Sequence, residues 1–370
     1  MINIKNIYWM LAYAFNNLNE ADTKLIDKEE FDNIYDLFCV MLTQEISKLI
    51  KRGLFKEYIT TTDEISSLKG KILLNDSIKK NSQKKMKMYC EFDVYSENIY
   101  LNQIIKTAAM YLIYSKKITD KVKIKKLKNV LNYLRDVDTV SIKTIKWNSI
   151  RYTKNNKIYK ISINICHLII DGLLSTKSDG KIEFKNYIDD QKMHKLYEKF
   201  ILEYYKYHYP NLHAKVSEIG WNIEEKNMIS LLPKMKTDIT LYYEDRILII
   251  DAKYYSDMYQ NNPMFNKNTF RSNNLYQIFT YVKNKDVNKN GRVSGMLLYA
   301  KTEKNDEQWA KFSMDGNTIV ISNLDLSESF DKVKKHLNTI ADKFINNKIY
   351  HIGALSTLIV YNALHKSSLV

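Results

Sequence analysis

The sequence predicts an α/β protein, in its α+β form, with two domains that divide near residue 180. Apolar residues recur at a spacing near 3.6 in several stretches, which is typical of amphipathic helices, and short β-prone runs lie between them. The chain has 370 residues, 45% of them hydrophobic, so it can bury more than one core. It contains only 3 Pro and 9 Gly, so no flexible linker marks the boundary, and the change in pattern places it.

The first predicted domain, residues 1–180, mixes helices and strands. Its predicted helices cover residues 5–18, 29–52, 98–114 and 116–134. Residues 53 to about 76 consist of short β-prone pieces. The basic polar stretch at 79–87 then predicts an exposed loop or hairpin.

The second predicted domain, residues 181–370, opens with a long helical pattern, QKMHKLYEKFILEYYKYHY. The apolar residues of this pattern form one stripe along a helix. Further on, residues 236–255 read KTDITLYYEDRILIIDAKYY, in which the two β-forming runs ITLYY and RILII predict a hairpin.

The predicted hairpin brings three ionisable side chains together. If it turns at Glu244 and Asp245, paired residue numbers sum to 489, so Asp238 faces Asp251. Directly opposed residues point to the same side of a sheet, with Cβ atoms about 5 Å apart, and alternation places Lys253 on that side as well. Glu-Asp is not a favoured two-residue turn, which leaves a slipped register open.

Two carboxylates held this close repel each other, which suggests a compensating cation. Asp238 and Asp251, with waters and a substrate phosphate, form the oxygen ligation that Mg²⁺ prefers. Lys253 can orient the attacking water or stabilise charge on the phosphate, so the pattern predicts phosphodiester cleavage. The alternative is a hairpin with one wet polar face, on which Lys253 only neutralises the two carboxylates.

The charge of the chain points to an anionic partner without identifying it. The 57 Lys and Arg exceed the 42 Asp and Glu by 15, which favours nucleic acid or an anionic membrane surface, although such a charge also keeps a protein soluble. The lysine-rich stretches at 79–87 and 116–128 either contact phosphates or are solvated. In the second stretch, Ile118, Val122 and Leu127 then form the apolar face of an amphipathic helix.

The three cysteines, Cys39, Cys90 and Cys166, are widely separated and form no C-x-x-C pair. This spacing argues against a disulfide framework or a zinc cluster, and it fits a reducing cytosol. The N-terminal residues do not have the pattern of a cleavable signal, and no apolar run reaches the roughly 18 residues of a membrane span. We therefore expect a cytoplasmic protein without a membrane partner.

The acidic residues resemble a known nuclease signature. Thr237-Asp238 followed by Asp251-Ala252-Lys253 is similar to the PD-(D/E)XK motif, and NLYQIFTYV contains Gln277-x-x-x-Tyr281, which resembles the Q-x-x-x-Y element of RecB-like nucleases. Residues four apart share one helix face, so both side chains can point to the site. Without the upstream motif, a Gln and a Tyr on a helix are more often packing or surface residues.

Four blocks together resemble the McrC family, the nuclease subunits of McrBC-type, modification-dependent restriction systems. The blocks are INIKNIYWMLAYAF, GLFKEYITTTDEISSLKGKI, CEFDVYSENIYLNQIIKTAA and LLPKMKTDITLYYEDRILIIDAKYY, and they span most of the chain. The resemblance implies a PD-(D/E)XK endonuclease domain at 181–370. It also implies that the domain at 1–180 docks on a hexamer of an McrB-like AAA+ GTPase and stimulates it. The chain has no G-x-x-x-x-G-K-[ST] loop, which is consistent with nucleotide chemistry residing in the partner.

The same resemblance implies roles for individual residues. The implied catalytic residues are Asp238, Asp251, Lys253, Gln277 and Tyr281. The implied Mg²⁺ ligands are Asp238, Asp251 and a carboxylate from the helix that contains LYEKF, for which we choose Glu198 while leaving Glu203 open. The expected substrate is double-stranded DNA.

Two other functions remain compatible with the sequence. One is a nuclease-fold module that binds DNA or activates a partner, with cutting secondary or absent. The other is a nuclease that acts on single strands or RNA without a motor, because the Gln277 and Tyr281 element recurs in nucleases of several substrates.

Overall fold

A computed structural model of the chain describes residues 2–15, 29–175, 190–224, 231–254, 258–262, 267–301 and 309–347. The chain forms two compact units. One, here called the C-terminal unit, combines Met1–Leu18 with Asp189–Val370, and the other, the N-terminal unit, is Asn19–Ile188. This division differs from the predicted one, because the first 18 residues belong to the C-terminal unit and the second boundary lies at 188 rather than 180.

Aromatic packing explains why the first helix, α1 (Ile4–Ala14), belongs to the C-terminal unit. The Trp9 ring stacks on Phe330, with ring centroids 4.6 Å apart. The Tyr13 hydroxyl lies 2.7 Å from His208 Nε2, and Asn6 donates to the Leu326 carbonyl oxygen. The predicted helix at 5–18 is therefore confirmed up to Ala14, and residues 16–18 lie outside the described residues.

The N-terminal unit contains the predicted mixture of helices and a small antiparallel sheet. Its helices are α2 (Ile34–Arg52), α3 (Leu74–Lys79), α4 (Tyr100–Tyr114), α5 (Lys121–Leu131) and α6 (Tyr159–Ser175). Its strands are β1 (Glu57–Ile65), β2 (Lys71–Ile72) and β3 (Met88–Ser96), in the order β1-β3-β2. The basic stretch at 79–87 includes a 3-10 turn over Ser82–Lys85, and apart from Ser82 it is exposed, as predicted.

The lysine-rich helix α5 uses a different apolar face from the predicted one. Leu127 and Ile118 are buried, but Val122 is 61% exposed. The helix begins only at Lys121, capped by the Asp120 side chain, so Ile118 precedes the helix and does not share a face with Val122.

The C-terminal unit contains a five-stranded mixed sheet covered by helices. Its further helices are α7 (Asp190–His208), α8 (Ser272–Lys285) and α9 (Phe330–Ile345). The sheet strands are β6 (Ile239–Tyr243), β7 (Arg246–Lys253), β10 (Val293–Lys301), β11 (Trp309–Met314) and β12 (Asn317–Asp325). The described part of the unit also contains two small strand pairs, β4 (Glu218–Ile219) with β5 (Met235–Lys236) and β8 (Tyr259–Asn262) with β9 (Lys267–Phe270).

The strand order in this sheet is β11-β12-β10-β7-β6. The three central strands, β7, β10 and β12, are parallel, and each edge strand is antiparallel to its neighbour. The central strands are buried along most of their length and consist largely of apolar residues, as expected for parallel strands covered on both faces. Helices α7 and α8 both pack against β7, so the end of β7 lies beside both helices.

Gly295 on β10 permits the close packing of α8. A Cβ at this position would lie 2.7 Å from Ile278 Cγ1 and 2.9 Å from Val282 Cγ2, closer than carbon atoms pack. The absence of a side chain therefore determines how near α8, with Gln277 and Tyr281, approaches the sheet.

Cys39, Cys90 and Cys166 are all buried free thiols. Among the described helices, none is both long enough and apolar enough to span a membrane.

Candidate active site

The β6–β7 hairpin has the predicted register. Ile239 pairs with Ile250 and Tyr243 pairs with Arg246, so paired residue numbers sum to 489. The two-residue turn is accommodated because Glu244 adopts a left-handed conformation with φ of 52°. Next in the turn, the Asp245 carboxylate pairs with Arg292. A slipped register, which the Glu-Asp turn had left open, is thereby excluded.

The hairpin brings the two predicted carboxylates to the same end of the sheet. Asp238 lies one residue before β6, and its Oδ2 accepts a hydrogen bond of 2.9 Å from the Ala252 backbone N–H. Asp251, the neighbour of Ala252, is only 2% exposed. The β7 backbone therefore holds Asp238 directly beside Asp251.

Lys253 joins this pair from the same strand. Its Nζ lies 2.8 Å from Asp251 Oδ2, and the residue is only 6% exposed. A buried lysine at this distance partly neutralises one carboxylate. This is expected both for a nuclease site and for a hairpin on which Lys253 only neutralises the two carboxylates.

Helix α8 contributes the predicted Gln277 and Tyr281. Lys253 Nζ donates to Gln277 Oε1 at 3.2 Å, and Gln277 Nε2 donates to the Tyr281 hydroxyl at 3.0 Å. The Tyr281 hydroxyl donates in turn to the Lys236 carbonyl oxygen at 3.3 Å. A continuous hydrogen-bonded chain thus runs from the buried lysine through both helix residues to the strand that precedes Asp238.

Burial is the main electrostatic penalty on the two carboxylates. Burial, followed by the charges of Asp251 and Glu198, raises the pKa of Asp238 to about 8, against the opposing effect of Lys253. Burial also raises the pKa of Asp251, although Lys253 and His194 oppose the shift. A bound cation would remove this penalty, because it favours the ionised form of both carboxylates.

The donor set fits Mg²⁺ and does not fit a closed structural metal site. Across the described ranges, no three His, Cys, Asp or Glu side chains are grouped closely enough to hold a metal by themselves. Mg²⁺ is usually bound through one or two carboxylates together with waters and substrate phosphates. Asp238 and Asp251 provide such a pair, and burial raises the pKa of both carboxyl groups, so a bound cation would favour their ionised forms.

Glu198 lies near this pair but is held by another residue. It occupies α7, and its Oε1 lies 2.5 Å from His194 Nδ1. Its charge contributes to the raised pKa of Asp238. By contrast, Glu203 pairs with Lys206 at 2.8 Å on the same helix, so the structure favours Glu198 over Glu203 as the helix carboxylate beside the site.

Two features of the site were missed at the level of sequence. One is the backbone N–H of Ala252, which orients Asp238. A contact made by the backbone cannot be recognised from residue types. His194 was detectable, since HKLYE places a His and a Glu four residues apart on one helix face.

The chain is similar in sequence and in fold to components of known restriction systems. Residues 4–300 match the family model described as the McrBC 5-methylcytosine restriction system component. A relative from Escherichia coli (strain K12), the type IV methyl-directed restriction enzyme EcoKMcrBC, is 25% identical over 348 residues, which cover 93% of this chain and 99% of the relative. The fold is similar to a chain in the half-complex of Thermococcus gammatolerans McrB AAA+ hexamers with bound McrC, with a TM-score of 0.53 and 17% identity, over 92% of this chain and 75% of that one.

Proposed function

The chain belongs to the McrBC restriction-system family as an McrC-type subunit, and from this premise we propose that it is a Mg²⁺-dependent DNA endonuclease. It cuts double-stranded DNA in a complex with an McrB-like AAA+ GTPase hexamer and stimulates the GTPase of that partner. The cytoplasm, where DNA and GTP are found, is the proposed compartment.

One observation carries the nuclease proposal. Asp238, Asp251 and Lys253 converge at one end of the central sheet, and Gln277 of α8 contacts the lysine. A hairpin that needed only to neutralise two surface carboxylates would not require this burial, because solvent would screen the charges at no cost. The buried, mutually repelling pair instead favours a site built to receive a cation and an anionic substrate.

Each residue of the site has a separate role in the proposed cleavage. Asp238 and Asp251 would hold Mg²⁺, with the Ala252 N–H orienting the first carboxylate. When bound, Mg²⁺ supplies Lewis-acid stabilisation of the phosphate and activation of water. The Lys253 ammonium, held between Asp251 and Gln277, stabilises the negative charge that develops on the phosphate in the transition state.

The N-terminal unit provides a candidate surface for the GTPase partner, here called the β1–β3 surface. Tyr58 and Tyr95 face each other across β1 and β3 with ring centroids 5.1 Å apart, and both are largely exposed. Met86, in the exposed basic stretch, is 89% exposed. Tyr58 and Tyr95 lie at one end of the β1–β3 pair and Met86 lies just before its other end. Exposed apolar side chains of this kind are found in protein interaction surfaces, so we propose that partner docking and GTPase stimulation use this surface.

Reconstitution tests the proposal. The full chain is mixed with the McrB-like GTPase of its own system, GTP and Mg²⁺, and cleavage is measured on methylated and unmethylated duplexes. Asp251→Asn should abolish cleavage, whereas Asp245→Asn, which alters an exposed carboxylate in the turn of the same hairpin, should not. Cleavage that survives Asp251→Asn refutes the site. Cleavage of single strands or RNA by the chain alone favours the motor-independent alternative, and GTPase stimulation without any cleavage favours the activator alternative.

A further inference from the structure

Helix α7 carries a polar pair beside the carboxylate cluster that the sequence motifs do not assign. His194 and Glu198 lie one helical turn apart, with Nδ1 and Oε1 at 2.5 Å, and their side chains are 21% and 28% exposed. The two residues act electrostatically on different members of the cluster, Glu198 on Asp238 and His194 on Asp251. Because α7 packs against β7, the pair borders the site.

We propose that His194 is a positioning residue that fixes the Glu198 carboxylate beside the site of Asp238 and Asp251, where its negative charge supports Mg²⁺ binding. Over the described residues these three carboxylates are not grouped closely enough to hold an ion by themselves. This inference rests on the proposed Mg²⁺ site. A glutamate side chain has several rotatable bonds, and a hydrogen bond from the His194 Nδ1–H removes much of that freedom before the metal arrives. Partners that hydrogen-bond a ligating carboxylate orient it, and their loss weakens metal binding.

The competing explanation is an ordinary helix-surface pair, which stabilises the helix slightly and contributes nothing to metal binding. The chain contains a pair of that kind. His167 and Asp171 on α6 are also four residues apart, with Nε2 and Oδ2 at 3.0 Å and side chains 38% and 27% exposed. They belong to the N-terminal unit, so His167→Ala is a control for the loss of a His–carboxylate pair. It also removes the stacking of the His167 ring on Trp147, with ring centroids 4.2 Å apart.

The test uses the full chain and two readouts, the Mg²⁺ dissociation constant from titration calorimetry and the Mg²⁺ concentration for half-maximal cleavage in the partner complex. His194→Ala should raise both by about 10- to 100-fold, while the cleavage rate at saturating Mg²⁺ stays close to that of the unmodified chain. His194→Asn should restore tight binding, because its amide N–H occupies nearly the place of Nδ1. The amide of His194→Gln lies beyond that place, so this variant should not restore tight binding. The control His167→Ala should change neither readout.

A double substitution separates positioning from direct contact. If His194 acts through Glu198, then His194→Ala should have no further effect on Mg²⁺ affinity in a Glu198→Ala background. An equal loss in both backgrounds would show that His194 acts on the metal independently and would overturn the proposal. The proposal is also overturned if His194→Ala behaves like His167→Ala, or if it lowers only the saturating rate.

The two readouts keep this inference distinct from the proposed function. If the chain binds Mg²⁺ with the predicted dependence on His194 but cleaves no DNA, the nuclease proposal fails and the positioning role stands. If cleavage requires Asp251 but is indifferent to His194, the positioning role fails and the nuclease proposal stands. Should His194→Ala not fold, the comparison of His194→Asn with His194→Gln decides the same question.

Discussion

Replacing Asp238 by Asn tests whether the carboxylate pair is destabilised without its cation. Asn has nearly the shape of Asp, and its side-chain oxygen can still accept the hydrogen bond from the Ala252 N–H. The substitution therefore removes a charge and leaves the packing almost unchanged. In metal-free protein we expect Asp238→Asn to be more stable than the unmodified chain at neutral pH, although it removes one of the two proposed Mg²⁺ ligands.

The magnitude follows from the pKa of Asp238, which is about 8 in the folded protein against an ordinary value of 3.8. Below pH 3.8 the group is protonated in both the folded and the unfolded state, and it costs no stability. Because the folded-state pKa is raised, the unfolded state loses its proton first as the pH rises toward 8, and the free energy of unfolding falls. Each unit corresponds to about 1.4 kcal/mol, so at pH 7 the group costs on the order of 4 kcal/mol. Asn does not titrate and avoids this cost.

Thermal unfolding across this pH range, with a chelator and with Mg²⁺, measures the effect. In chelator at neutral pH, Asp238→Asn should raise Tm by roughly 10 °C, since about 1 kcal/mol shifts Tm by about 2–4 °C for units of this size. The difference should shrink toward acidic pH. Mg²⁺ should raise the Tm of the unmodified chain and much less that of the variant, because only the former keeps both carboxylates.

Asp245→Asn, in the exposed turn of the same hairpin, is the control and should show neither effect. An Asp238→Asn variant that is no more stable than the unmodified chain in chelator at neutral pH would refute the argument that burial of Asp238 beside Asp251 and Glu198 is costly. Equal stabilisation of both proteins by Mg²⁺ would refute the assignment of Asp238 as a ligand.

Four further outcomes are expected. Lys253→Ala should retain Mg²⁺ and DNA binding but lose turnover, and a cleavage rate that recovers as Mg²⁺ is raised would show that the lysine only neutralises the carboxylates. Asp238→Ala should still stimulate the GTPase of the partner, since that role is placed in the N-terminal unit, and loss of stimulation in folded protein would contradict separable units. Gly295→Ala should reduce the free energy of unfolding in urea by about 1–3 kcal/mol through crowding against α8, and an unchanged midpoint would refute that account. Trp9→Ala should destabilise the C-terminal unit by about 3–5 kcal/mol, measured by proteolysis of that unit, because the ring is buried and stacks on Phe330, and a cost below about 1 kcal/mol would contradict the packing of α1 there.

Local structure was predictable where near neighbours in sequence decide it. The register of the β6–β7 hairpin follows from strand alternation and a two-residue turn, so the meeting of Asp238, Asp251 and Lys253 could be worked out from residue numbers. Helix periodicity likewise predicted α7, as residues 191–209 against the observed Asp190–His208. The prediction for α5 was less accurate, because its apolar face depends on where the helix begins, and the Asp120 cap decides that.

The sequence by itself determined the hairpin, its ionisable cluster, the Gln277 and Tyr281 helix face and, through the resemblance of whole blocks, the family. Only the tertiary structure decided that α1 packs in the C-terminal unit, that α8 brings Gln277 within 3.2 Å of Lys253 Nζ, and that His194 holds Glu198. The physical reason is that these contacts join segments far apart in the chain. Their distances depend on how closely the helices pack on the sheet, as at Gly295, and such packing is set by many side chains at once rather than by local periodicity.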